Sequence, residues 1–216
     1  MSEAGWLLSR AANGFGHLEA RGPVDGLPAL VIPGFIANDR TTMELRRALA
    51  AAGYRTYPWN CGWNRGARAD TVDRLAERLA QVAPGRPALV VGWSLGGVFA
   101  RELARQHPER VRAVVTLGSP FSQDPRLNNV WRLYEWVAGH PVDKPPIERI
   151  SAKPPVPTLA IWSRRDGIIA PAAARGTPEE SDKSVEFDCG HMAFGVSRRA
   201  TRRVVQEIDT FLNSLD

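Results

Sequence analysis

Two patterns of apolar and polar positions alternate along this chain. Continuous apolar runs stand at residues 27–35 (LPALVIPGF), 87–93 (PALVVGW), 111–120 (VRAVVTLGSP) and 156–163 (VPTLAIWS). Runs this short, bounded by Gly or Pro and rich in Val, Ile and Leu, predict buried strands. Weaker strand patterns occupy residues 54–59 and 183–189. Between them, apolar residues recur every three or four positions and predict helices over 41–53, 70–85, 95–108 and 197–215. Thr41 with Glu44 three positions on predicts a capping box, Gly53 marks the end of that helix, and Asp70 is the expected cap of the next. Strands that are apolar throughout, alternating with helices, predict an α/β fold whose parallel sheet is covered on both faces. Reactive groups in such folds gather at the C-terminal ends of the strands.

Residues 121–155 break the rhythm. They hold prolines at 125, 141, 145, 146, 154 and 155 and one short helical pattern, RLNNVWRLYEWVAG. The segment is too small to fold alone, so the expectation is a single domain over 1–216 that carries 121–155 as an insertion.

Composition narrows the function classes. The net charge is +5 and arginine supplies nearly all of it, lysine occurring only at 144, 153 and 183. These basic residues are interspersed with Asp and Glu along helical segments, the pattern of a solvated surface, and no nucleic-acid recognition motif accompanies them. No apolar run reaches the roughly 18 residues needed to span a bilayer. The first residues lack the basic start and apolar stretch of a secretion signal, which leaves the cytoplasm as the default location. Cys61 and Cys189 have no CxxC partner. Neither a metal-ligand cluster nor a glycine-rich phosphate loop is present, so neither metal nor cofactor is expected.

Gly92-Trp93-Ser94-Leu95-Gly96 fits G-x-S-x-G and lies between a predicted strand and a predicted helix, the context in which that motif carries chemistry. The tight turn strains the serine, and Gly92 and Gly96 fit where side chains would collide. Its product is an exposed hydroxyl above a helix N-terminus, where the Leu95 N–H favours negative charge on the reacting oxygen. A neutral serine needs a base. Of the four histidines, His17 precedes the first clear strand, His107 sits at a helix end and His140 lies in the insertion. His191 follows the last strand in a glycine-flanked loop, on the same edge as Ser94. Asp166, just past the strand at 156–163, is the expected acid. Asp188 lies too close to His191 along the chain, and Asp143 and Asp182 are weaker alternatives. The loop after the first strand, IPGFIAND, is expected to supply a second oxyanion donor, the N–H of Phe35, with Ile36 next.

With these residues on the page, the chain resembles the α/β-hydrolase superfamily, and within it the small bacterial lipases and esterases. VIPGF, GWSLGG, TLGSPF, SRRDGIIAP and CGHMAFG fall in the expected order over residues 27–215. The resemblance implies an α/β-hydrolase fold, a mostly parallel central sheet with helices on both faces and a short cap or lid at 121–155. It also implies that the strands at 54–59 and 183–189 lie toward opposite edges, which keeps Cys61 and Cys189 apart and unbridged. Pro33-Gly34 replaces the His-Gly of many relatives, and an early antiparallel strand is sought in 14–22.

The implied activity is ester hydrolysis through an acyl-enzyme on the triad Ser94, His191 and Asp166. An acyltransferase or amidase would use the same triad. In the insertion, Leu127, Val130, Trp131, Tyr134 and Val137 share helical spacing, either packing on the body or forming an acyl wall. Phe35, Trp93, Trp131 and Tyr134 are the expected substrate contacts. Trp59 and Trp63 add aromatic surface nearby. The expected partner is a small-molecule or lipid ester and no nucleic acid, with contact to a membrane surface left open.

Overall fold

The computed structural model describes residues 22–129, 131–147 and 150–215. Among them the apolar runs form six strands: β1 (Pro28–Ile32), β2 (Arg55–Pro58), β3 (Ala88–Trp93), β4 (Val111–Leu117), β5 (Thr158–Ser163) and β6 (Lys183–Phe187). They make one sheet in the order β2-β1-β3-β4-β5-β6, with every pairing parallel. This is the α/β-hydrolase fold expected from the sequence.

Alternation along each strand divides the core in two. Ala29, Val31, Leu89, Val91, Val115 and Leu117 pack on one face with Leu45 and Leu49 of α1 (Met43–Ala51) and Val204, Ile208 and Phe211 of α7 (Arg198–Asn213). Leu30, Ile32, Val90 and Val114 pack on the other, against Leu75 and Leu79 of α2 (Thr71–Val82) and Phe99 and Leu103 of α3 (Leu95–Gln106). Both faces being covered explains why the strands are apolar throughout instead of alternating with polar residues. Cys61 packs on the second face and Cys189 on the first, and the two are not joined in a disulfide.

Chain direction positions the site. The chain leaves β1 for the edge strand β2 through α1, then recrosses on the opposite face through α2 to reach β3. The connections therefore change faces between β1 and β3, which are neighbours. A crevice opens at the C-terminal ends of strands at such a switch point. The loop after β1 and the turn after β3 meet there.

Some local expectations are corrected. The capping box at Thr41 and Glu44 does not form. The helix starts later, with Thr42 at the cap position and no side-chain capping bond. The Thr41 and Thr42 hydroxyls donate to the Asn38 and Asp39 carbonyls, and Glu44 pairs with Arg47 and Arg198. Asp70 stands at the cap of α2, but its side chain accepts no capping bond.

Two short helices, α5 (Pro171–Arg175) and α6 (Ala193–Val196), have no periodic signature at their length. In the segment between β4 and β5, α4 spans Trp131–Ala138. Residues 14–21, where an early strand was sought, lie outside the described residues, as do His17 and Val130; Gly22 is not in a strand.

Candidate active site

Ser94 joins β3 to α3 with φ 55° and ψ −124°. For a residue with a Cβ this region costs about 1–3 kcal/mol, and it persists only where neighbours enforce it. Here they do. The Ser94 N–H donates to the Leu117 carbonyl of β4 at 2.8 Å. A Cβ on Gly92 would lie 2.3 Å from the Gly96 carbonyl oxygen, and one on Gly96 would lie 2.4 Å from that of Ile32. Only hydrogen fits at either position. Gly97 makes room for Ser119 in the loop after β4, whose Oγ would be 2.0 Å from an added Cβ. Leu95 opens α3, so its N–H has no intrahelical acceptor.

Asp166 and His191 arrive from the ends of β5 and β6. His191 Nδ1 lies 2.7 Å from Asp166 Oδ2. The pair is dry, with side-chain exposures of 4% and 1%. The other carboxylate oxygen, Oδ1, accepts from the Ile168 and Ile169 N–H groups at 2.9 and 2.8 Å. The carboxylate is thus fixed from both sides, and its bond to Nδ1 leaves Nε2 as the imidazole's available nitrogen.

Ser163 ties the two loops together. Its hydroxyl donates to the Cys189 carbonyl at 2.7 Å and accepts from the Cys189 and Arg165 N–H groups. Gly118, with φ +51°, faces the pair so closely that a Cβ there would lie 2.9 Å from Asp166 Oδ2 and 3.2 Å from His191 Nδ1. The other candidates are engaged elsewhere: Asp188 with Arg165, Asp143 with Arg126, and Asp182 with Lys153. His140 contacts the Ala67 carbonyl and His107 lies near Glu109.

The loop after β1 approaches from the other side. Gly34 passes Ser94 so closely that a Cβ would sit 3.0 Å from the serine Cβ. Ile36 has φ +52°, and its N–H is spent on the Asn64 carbonyl at 2.8 Å. Of the two candidate donors, Ile36 is therefore removed and Phe35 remains.

Asn64, which the sequence pattern does not single out, holds this loop. Its N–H donates to the Ala37 carbonyl at 2.8 Å, and its Nδ2 donates to the Pro33 carbonyl at 2.9 Å. With the Ile36 bond, three hydrogen bonds clamp residues 33–37 to one residue that is 1% exposed. Asn64 lies in no quoted motif, and although Gly118 and Ser163 fall within TLGSPF and SRRDGIIAP, the contacts they make across the loops are with residues distant in sequence.

Ser94 opens into an apolar cavity of about 80 Å³. Phe35, Leu95, Phe99, Trp131, Tyr134 and Ile147 are among its lining residues. The expected contacts Phe35, Trp131 and Tyr134 are thus brought together with Ser94, the rings of Phe35 and Tyr134 lying 5.1 Å apart. Trp93 is a correction. Side chains alternate at the end of β3, so when Ser94 faces the cavity Trp93 turns into the core, 3% exposed. Its ring lies 5.6 Å from that of His191.

The segment between β4 and β5 is fastened over the cavity. Tyr134 Oη accepts from the Ala67 N–H at 3.2 Å, and burial pushes the Tyr134 hydroxyl above its ordinary pKa. Asn128 Oδ1 accepts from Ala170 N–H at 2.9 Å, and Asn129 Nδ2 donates to the Gly167 carbonyl at 2.8 Å, next to Asp166. Leu127, grouped with the inward face on spacing, is instead 56% exposed, because it lies in a separate 3-10 turn at 125–127.

Comparison with known proteins returns one consistent architecture. The sequence profile described as "alpha/beta hydrolase fold" matches residues 30–141. A provisionally assigned lipase of Acinetobacter baumannii AYE superposes with a TM-score of 0.64 at 15% identity, covering 91% of this chain and 87% of that one. Carboxylesterase CesB of Bacillus subtilis gives 0.61 at 16% identity, covering 87% and 85%. Polyneuridine aldehyde esterase gives 0.63 at 13% identity, covering 86% and 100%. At these identities the likeness shows the fold. The biotin biosynthesis bifunctional protein BioHC of Teredinibacter turnerae is 38% identical over 58 residues, 27% of this chain. The chain spans about a tenth of the length of that curated relative.

Proposed function

The chain belongs to the α/β-hydrolase family, and from that premise we propose that it hydrolyses carboxylic esters with Ser94 as nucleophile, His191 as base and Asp166 as the base's partner. The observation that carries the reading is the buried 2.7 Å contact between Asp166 and His191, at the same sheet edge as a serine held at φ 55°. A carboxylate on Nδ1 fixes the tautomer whose Nε2 accepts a proton, and it stabilises the imidazolium that results.

In the proposed sequence, His191 takes the proton from Ser94 as Oγ attacks the ester carbonyl. The Phe35 and Leu95 N–H groups receive the oxyanion, each donor contributing roughly 3–4 kcal/mol to the transition state. His191 then protonates the departing alcohol. Water, activated by the same imidazole, attacks the acyl-enzyme and releases the acid.

The single domain over 1–216, with 121–155 as a cap on the acyl pocket, is part of the same proposal. Supporting it are Trp131 and Tyr134 in the cavity wall. A cavity this narrow and apolar favours a short acyl chain. A profile over p-nitrophenyl esters tests this: butyrate is expected to give the higher kcat/KM and palmitate the lower. Preference for palmitate would overturn the short-chain reading, and no turnover of any ester would overturn the activity.

A further inference from the structure

We infer that a second cleft, on the outer side of residues 59–68, binds an oxyanion such as a phosphate group. The cleft holds about 260 Å³, more than the cavity at Ser94. Arg65, Arg68 and Arg74 line it together with Trp59, Trp63 and Cys61, and its lining contains no carboxylate.

What sets the arginines of this cleft apart is that three of them line one concavity with no carboxylate in its wall. Arg47, Arg105, Arg110, Arg126, Arg164, Arg165 and Arg198 each have a carboxylate within 3.5 Å. Arg65, Arg68 and Arg74 form no ion pair among the described residues. Arg74 reaches the Cys61 thiol, but burial pushes that thiol's pKa up, so the cysteine stays neutral and does not supply the missing charge. Three cations around one concavity repel each other, and an anion among them relieves that repulsion. Guanidinium forks match a tetrahedral oxyanion with paired N–H donors. Trp63, 55% exposed in the same wall, offers a flat apolar face to whatever carries the anion.

The cleft stands back to back with the Ser94 cavity. Phe99 lines both, and Ala67 of the cavity lies between Gly66 and Arg68 of the cleft. Two sources of the oxyanion fit that position, the charged end of an ester reaching past residues 66–68 or a separate phosphorylated molecule. The site itself does not depend on Ser94 being the nucleophile.

Calorimetric titration of the full chain with inorganic phosphate, against sodium chloride at equal ionic strength, tests the inference. The expected result is saturable binding to wild type that weakens by about tenfold or more in Arg65→Gln/Arg68→Gln, the loss expected for charged hydrogen bonds. The single variant Arg68→Gln serves should the double variant fail to fold, with a smaller loss expected. Equal binding by the variants, or an equal response to chloride, would overturn the site.

Kinetics then identify the source. Phosphate that competes against a carboxylate-terminated p-nitrophenyl ester, but not against p-nitrophenyl butyrate, marks the substrate's own charged end. Phosphate that binds without competing marks a separate ligand. Both outcomes retain the site. Failure of ester hydrolysis would leave the titration unaffected, so the two readings fail separately.

Discussion

Asn64 shows how a residue remote from the chemistry sets its geometry. Its side-chain amide donates to the Pro33 carbonyl, and its backbone holds Ile36 and Ala37. Those bonds leave the Phe35 N–H as the donor from this loop that can face Ser94. Removing the amide in Asn64→Ala frees Pro33, and a displacement of about 1 Å at a catalytic group costs about 100-fold in rate. The expected outcome is a kcat reduced by about 10–100-fold with KM little changed, measured by steady-state hydrolysis of p-nitrophenyl butyrate; unchanged kcat would dissociate Asn64 from the oxyanion loop. Asp166→Asn is expected to lower kcat by about 10⁴, because an amide does not hold the required tautomer. Retained activity would remove Asp166 from the mechanism.

The placement of Ser94, Asp166 and His191 at strand ends was legible in sequence because each sits just past a strand in a recognisable local motif. The contacts of Asn64, Ser163 and Gly118 across the loops were not, because they join residues far apart in the chain. Trp93 was misread because the motif gives its neighbourhood and not the side of the strand on which its ring falls.

At the scale of elements, the β3–α3 turn is enforced by packing rather than by local preference. Gly92 faces the Gly96 carbonyl, and Gly96 faces the Ile32 carbonyl on the neighbouring strand. Backbone atoms cannot yield as a flexible side chain would. Gly92→Ala should therefore destabilise the protein by about 3 kcal/mol or more, a fall in Tm of about 6–12 °C for a chain of this size. Thermal unfolding followed by circular dichroism measures it, and an unchanged Tm would contradict the steric account.

Strands and long helices were predicted close to their observed bounds because the apolar runs of the central strands and the periodicity of the helices are strong. Helix starts were less legible. Thr41, Thr42 and Asp70 have the right chemistry for caps, but the two threonine hydroxyls go to nearby carbonyls and Asp70 makes no capping bond. In 121–155 spacing implied one continuous apolar face, whereas Asp124 and Pro125 start a separate turn whose Leu127 faces outward.

At the scale of the whole molecule, the site follows from a reversal of connection. Because β2 is reached before the chain returns to β3, the loop after β1 and the turn after β3 become neighbours, and the ends of β5 and β6 bring Asp166 and His191 along the same edge. A parallel sheet covered on both faces was legible in the order of apolar runs and helical segments, whereas the edge positions of β2 and β6 were implied by the resemblance to the α/β-hydrolases. The arginine cleft was not legible, since it depends on which of many arginines the fold leaves without a carboxylate. The sheet also separates Cys61 from Cys189. Intact mass after alkylation of the unfolded protein is expected to show two modified thiols with or without prior reduction. No modified thiol without reductant, with two after reduction, would mean a Cys61–Cys189 bridge and contradict the fold.

The most direct test of the central claim is the turnover of p-nitrophenyl butyrate by Ser94→Ala beside wild type. Substituting this side chain leaves the backbone bond from residue 94 to Leu117 intact, so the variant should fold and unfold at a similar temperature. The account predicts a loss in kcat on the order of 10⁵–10⁶-fold. Wild-type turnover in a folded Ser94→Ala protein would contradict it.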